Sequence, residues 1–196
     1  MMLNKLLKQI PLSIPCVYEK DNAIYLEGDY CDKIGVILSG TVELVHYSNS
    51  GNSNVLSTLK KGETFGDVMI FSDYPYYIGA LIAKEKTKVA YLTKDVLTDA
   101  LNDKTFQTKF IQNLSNKAFN FNKQVKLLKQ PLLKDKVLFY LETKSQEHKQ
   151  QKVYINSITT LANDFNVQRP SLSRVMKSLL DSNIIKRNGK WYWLDS

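Results

Sequence analysis

The hydrophobic period of this chain changes near residue 95, and that change limits the architectures open to it. From Tyr18 to Lys94, the segments "AIYLEGD", "KIGVILSG", "TVELVHYS", "VLSTLKKGE" and "KVAYLTKD" alternate apolar and polar residues or carry β-branched side chains. Gly28-Asp29, Ser39-Gly40, "SNSGNSN" and Gly62-Glu63 punctuate them. Successive side chains of a strand face opposite ways, so alternation buries one face of a sheet, and regularly spaced turns fold the sheet back on itself. A small antiparallel barrel or roll is expected over this stretch.

Beyond residue 95 the period is helical. Ile111, Leu114, Ala118, Phe121, Val125 and Leu128 recur at intervals of 3, 4, 3, 4 and 3, the a/d seam of a helix that pairs with a second copy. The alternative is a helix packed on the roll. Lys117, Asn120 and Lys123 supply a wet outer face. Pro131 interrupts the pattern, which divides the chain into residues 1–129, a roll with its dimer helix, and residues 130–196. In the second part "LLKDKVLFYLET" reads as a helix, "SQEHKQQK" as a polar turn and "VYIN" as a strand.

Residues 155–194 carry the most specific pattern. Ser157 is a candidate N-cap for "ITTLANDF", in which Ile158, Leu161, Ala162 and Phe165 share a face. After the turn "NVQ" comes "RPSLSRVMKSLL". Proline suits the first turn of a helix and pushes the preceding residue out of the α region, so Arg169 is expected as the cap and Pro170 as the first helical residue. Leu172, Val175, Met176, Leu179 and Leu180 then form the buried stripe. "NIIKR", Asn188-Gly189 and "KWYWL" read as a hairpin with Asn-Gly as its two-residue turn. Helix, turn, helix and wing make a DNA-binding module.

A recognition helix offers its first turns to base edges, which assigns base contact to Arg169, Ser171, Ser173 and Arg174. Arg174 is the expected bidentate reader of a guanine. Ser157, Thr159, Gln168, Lys177, Lys186, Arg187 and Lys190 are expected phosphate contacts. Charge agrees with a polyanionic partner. Residues 1–129 hold 16 Lys and Arg against 13 Asp and Glu, a net +3, while the shorter 130–196 holds 11 against 6, a net +5.

Other classes fare worse. Cys16 and Cys31 are too few for a four-thiolate zinc or cluster site, and His46 and His148 have no neighbouring ligands, so neither metal nor cofactor is expected. A metal-dependent barrel enzyme would need clustered histidines, so no enzymatic activity is expected. No apolar run reaches the roughly 20 residues of a membrane span. The opening "MMLNKLLKQIPLSIP", with Leu3, Leu6, Leu7 and Ile10 at helical spacing, reads as a short docked helix, and a cytoplasmic address follows by default.

Taken together, "GDYCDKIGVILSGTVELV", "LKKGETFGDVMIF" and "ITTLANDFNVQRPSLSRVMKSLLDSNII" resemble the Crp/Fnr superfamily of transcription regulators. The resemblance implies an α+β protein with a cupin-like N-terminal antiparallel β-roll, a long dimerisation helix and a C-terminal winged helix-turn-helix. It implies a homodimer on an inverted-repeat site in double-stranded DNA, with RNA polymerase as a further partner. Departures narrow what the roll senses. Asp67 keeps the family's acidic position, but Tyr77 and Ile78 stand where cyclic-nucleotide binders have Arg and Ser, so cyclic AMP is not expected. His46, in what reads as an exposed turn, is a poor haem ligand. Pro170 replaces a Glu common in the family, so the half-site should differ. Asp67, Phe71, Tyr74, Tyr76 and Tyr77, with Phe121 and Asn122, remain as a pocket. Two readings stand for it: an apolar or aromatic effector, or aromatic side chains that fill the space and leave a ligand-independent dimer, the second preferred. A cupin-like small-molecule-binding protein is the alternative for the whole.

Overall fold

A computed structural model describes residues 12–47 and 53–195. Residues 1–11 of the expected N-terminal helix and the centre of the "SNSGNSN" turn lie outside those residues, and residues 12–15, which are described, are not helical. The first unit begins with eight strands: β1 (Cys16–Tyr18), β2 (Ala23–Tyr25), β3 (Lys33–Ser39), β4 (Thr41–Tyr47), β5 (Ser53–Lys60), β6 (Thr64–Phe65), β7 (Ala80–Ala83) and β8 (Thr87–Thr93). They form two antiparallel sheets, ordered β1-β8-β3-β6 and β2-β7-β4-β5. All five expected strand segments are present. β1, β6 and β7 are additional; they are two to four residues long, too short to show a period. His46 lies within β4, not in a turn, and its Nδ1 is 3.1 Å from Glu27 Oε2.

The roll closes on Ile34, Ile37, Val42, Leu81, Val89 and Leu92, each buried. Gly35 faces Phe65 across the β3–β6 pair, and a Cβ at Gly35 would enter the Phe65 ring. That close approach lets the aromatic lie flat on the strand.

Two helices follow, α1 (Lys94–Ala100) and α2 (Lys104–Leu128). The break between them arises because Asp103 Oδ1 accepts the Phe106 N–H at 2.7 Å, an N-cap that starts a new helix. Phe106, Phe110 and Leu114 of α2 join the core of the roll, whereas Leu127 joins the core of the second unit. By packing the chain therefore divides inside α2, between Asn116 and Lys117, upstream of the proline that interrupts the sequence pattern.

The second unit adds α3 (Leu133–His148), β9 (Val153–Tyr154), α4 (Ile158–Asp164), α5 (Arg169–Asp181), β10 (Ile185–Asn188) and β11 (Trp191–Leu194). Its sheet is ordered β10-β11-β9. α3 runs through Ser145–His148, which the sequence reading had placed in a turn. The extension is held by Glu147, which pairs with Lys144 at 2.8 Å and with Lys123 of α2, and Lys149 ends the helix at φ 50°.

Replacing Gly35 with Ala should destabilise the protein by about 1–3 kcal/mol through overpacking against Phe65, read as a lowered urea midpoint at unchanged slope. A second expectation concerns acid. Burial pushes the Glu147 carboxyl up, but hydrogen bonds from Lys123 and Lys144, with their charges, outweigh it and hold the group below the usual carboxylate range. A depressed carboxyl stabilises the fold above its unfolded value, and that contribution is lost as pH falls through the lowered folded value. Lys123→Gln should flatten this part of the stability-against-pH curve.

Candidate functional site

Ser157 caps α4 as expected: its Oγ accepts the N–H groups of Thr159 (3.1 Å) and Thr160 (3.4 Å). Leu161, Ala162 and Phe165 are buried beneath it. Asn166, at φ 53°, turns the chain toward α5. Here the cap differs from expectation. Gln168 is extended (φ −69°, ψ 134°) and its carbonyl accepts from Ser171 and Leu172, so Arg169 is the first helical residue and Pro170 the second. Proline is tolerated there because no N–H of the first turn has an intrahelical acceptor.

Leu172, Met176 and Leu179 are buried and Val175 and Leu180 half-buried, which turns the other side of α5 outward. Arg169, Ser173, Arg174 and Lys177 are exposed, and Ser171 is half-buried. Neither arginine, nor Lys177, makes a hydrogen bond or ion pair with a described residue. α5 holds no carboxylate before Asp181, at its C-terminal end. The chain's three arginines are Arg169, Arg174 and Arg187, all in the second unit, a concentration visible in the sequence but not used in reading it.

The wing residues are less free than their charges suggest. Lys186 pairs with Asp195 at 2.6 Å. Arg187 Nε donates to the Gly189 carbonyl at 2.7 Å while its guanidinium lies over Tyr192. Lys190 Nζ reaches Asn156 Oδ1 at 3.4 Å. The hairpin turn is also one residue later than expected. Asn188 pairs with Trp191, so the loop is Gly189-Lys190, and only Gly189 has positive φ (59°), as a type II′ turn requires at its first position. Thr159 and Gln168 are exposed at the helix starts.

In the roll, Asp67 is buried, and its Oδ2 accepts from Thr64 Oγ1 (2.7 Å) and Asn113 Nδ2 (2.8 Å). Tyr77 is buried too, stacked on Tyr25 at 4.4 Å between ring centroids. Its hydroxyl lies 3.8 Å from Cys31 Sγ, and burial pushes both groups up from their ordinary ionisation ranges. The other expected pocket residues do not join it. Phe71 and Tyr74 are exposed, Tyr74 packs on Tyr76, and Tyr76 meets Tyr30 edge-on at 5.6 Å. Phe121 and Asn122 are exposed on α2, in the second unit. The interior partners of Tyr77 are Tyr25 and Cys31, and Tyr25 in turn meets Phe65 and Tyr91 edge-on; sequence reasoning missed all four. The strand patterns "AIYLEGD" and "KVAYLTKD" hold Tyr25 and Tyr91, whereas Phe65 sits in a two-residue strand and Cys31 outside any strand, where no period marks them.

Along α2 the apolar seam is open. Ile111, Ala118, Phe121, Val125 and Leu128 are exposed, Leu114 is half-buried, and Phe119, outside the predicted seam, is 64% exposed. Among the described residues no three His, Cys, Asp or Glu gather as metal ligands, and no helix is long and apolar enough to cross a membrane.

Comparison with known proteins agrees with this geometry. Residues 15–104 match the cyclic nucleotide-binding domain family. Solved structures of similar fold include CprK in complex with OCPA, at a TM-score of 0.72 and 16% identity, over 98% of this chain and 90% of that one. A CooA variant from Carboxydothermus hydrogenoformans matches at 0.66 and 13%, over 98% and 86%. The c-di-GMP responsive global regulator CLP of Xanthomonas campestris matches at 0.59 and 17%, over 94% of each chain. The chain has the Crp/Fnr fold. A curated relative, the cAMP-dependent protein kinase regulatory subunit of Yarrowia lipolytica, is 38% identical over 79 residues, or 40% of this chain and only 20% of that protein. The match spans about a fifth of that protein's length. In the Crp/Fnr fold of this chain the roll, which matches the cyclic nucleotide-binding domain family, precedes a winged helix-turn-helix, the order that the sequence resemblance implied.

Asn113→Ala removes one donor from the buried Asp67 carboxylate. It should lower stability by about 1–3 kcal/mol, measured by urea unfolding, since a buried charge that loses a hydrogen bond keeps its desolvation cost.

Proposed function

We propose that this protein is a homodimeric, sequence-specific DNA-binding transcription regulator that acts on an inverted-repeat promoter site. The observation that carries the reading is α5: its apolar stripe is buried while Arg169 and Arg174, in its N-terminal half, stand exposed and unpaired among the described residues. Arg174 reads a guanine edge through its two-pronged guanidinium, with Arg169, Ser171 and Ser173 on neighbouring bases. Lys177 and the hydroxyls of Ser157 and Thr159 hold phosphates, with Gln168 beside them. Lys186 is neutralised by Asp195 and contributes less than Lys177, whereas Arg187 and Lys190 keep free N–H donors for phosphates beside their present contacts. The exposed seam of α2 supplies the dimer contact, and two recognition helices then enter successive major grooves roughly 34–36 Å apart.

For the roll, the self-filled reading is favoured over an effector pocket. Among the described residues its buried polar groups are Thr64, Asp67 and Thr87, with no buried cation to meet a cyclic phosphate, while Tyr77 occupies the interior. A buried carboxylate repels an anionic ligand.

Selection from a random duplex pool should return a two-fold symmetric site. Arg174→Ala should relax preference at one base position by about 1–3 kcal/mol, whereas Lys177→Ala should weaken all duplexes alike and reduce the salt slope by about one. Equal affinity of the unaltered protein for every duplex would overturn the proposal. Thermal denaturation with cyclic AMP and cyclic GMP should show no rise in Tm with ligand concentration; a rise would restore the effector reading.

A further inference from the structure

The second unit has another exposed basic face, on the side of its sheet away from α5. Val153, Ile185 and Tyr192 point into the core shared with Leu172 and Met176. Alternation therefore turns Lys152, Tyr154, Trp191 and Trp193 the other way. Tyr154 and Trp191 are cross-strand partners, 50% and 43% exposed, with centroids 5.2 Å apart and planes at 62°. An edge-to-face pair of this kind leaves ring surface open to solvent. Beside Trp191 is a groove of about 490 Å³ lined by Gln150, Gln151, Lys152 and Asn188.

We propose that this sheet face binds single-stranded nucleic acid, with Trp191 and Tyr154 stacking on bases and Lys152 and Lys190 meeting phosphates. Charge complementarity selects the occupant. Residues 149–163 and 182–194 contain Lys149, Lys152, Lys186, Arg187 and Lys190 and no Asp or Glu. Lys186 is spent on Asp195, but Lys149 and Lys152 make no ion pair with a described residue. Lysine is depleted from protein–protein interfaces, whereas lysine beside exposed aromatics is the usual makeup of a single-strand surface. Lys190 lies over Tyr154 at 5.9 Å, next to a ring on which a base would stack, and Lys152 lies over Trp193 at 4.7 Å on the same face. The amides of Gln150, Gln151 and Asn188 offer both donors and acceptors to the edge of an unpaired base. This surface shares Lys190 with the phosphate contacts assigned to the wing but contains no residue of α5.

The chain has two tryptophans, Trp191 and Trp193, so intrinsic fluorescence of the full-length protein reports on this face alone. Titration with unlabelled oligo-dT at low salt should quench it saturably, with an affinity that falls as salt rises. By anisotropy of labelled oligo-dT, Trp191→Ala and Tyr154→Ala should each weaken binding roughly tenfold, and Trp191→Phe should restore most of it. Arg174→Ala should leave oligo-dT binding unchanged while impairing the duplex. Lys152→Ala, at an exposed site, tests the same face if an aromatic variant fails to fold. Absence of oligo-dT binding would overturn the proposal, as would loss through Arg174→Ala with no effect of the Trp191, Tyr154 or Lys152 variants. A face that captures a protein yet ignores oligo-dT would overturn it equally.

Discussion

Burial of one side of α5 is the constraint on which the functional half of this molecule depends. Phe165 and Leu172 are fully buried, and Leu161, Met176 and Leu179 nearly so, in one cluster with Val137 and Leu141 of α3 and Ile185 and Tyr192 of the sheet. A 13-residue helix has little stability alone; its place is fixed by what its apolar stripe packs against. Rotating α5 by about a third of a turn would put Arg174 in the core and Met176 in water, costing several kcal/mol for an unpaired buried charge. The orientation of the cationic residues therefore follows from the packing of the apolar ones, and no specific polar contact is needed to aim them.

The roll solves a different problem. Its interior holds a carboxylate, Asp67, and a layer of tyrosines, and both are satisfied from within the first unit. Asn113 reaches Asp67 from α2, so the polar contact that fixes the start of the long helix to the roll uses the acidic position that the sequence resemblance connects with ligand binding. Tyr77 fills the adjacent space, held on one side by Tyr25 and on the other by the Cys31 thiol.

Much of this was legible because periodicity reports burial. The alternation in "KIGVILSG" and "TVELVHYS", the stripe from Leu172 to Leu180 and the Ser157 cap each depend on residues close in sequence, and each is found where the pattern placed it. What was missed depends on long-range partners. α3 outlasts its apolar pattern because Glu147 finds Lys123 on another helix, and the tyrosine layer of the roll assembles from segments far apart in sequence. The grouping of Phe71, Tyr74, Tyr76 and Tyr77 into one pocket failed on a similar point. Outside regular strands, neighbours in sequence need not share a direction, and only Tyr77 turns inward.

The same alternation that buries Tyr192 leaves Trp191 and Trp193 outside. A three-stranded sheet with one covered face must expose the other, and polar residues there would cost nothing. Lys88 and Lys186 show that this chain places lysine on outward strand positions. Two tryptophans and a tyrosine in such positions are thus a departure from what solubility requires, with no core to reward them. Nor does the hairpin need them, since Ile185, Tyr192 and Leu194 already anchor the wing to α3 and α5. Large exposed rings flanked by lysines, on a surface whose one named carboxylate, Asp195, is paired with Lys186, are explained more economically by a partner with flat apolar faces and negative charge than by any demand of the fold.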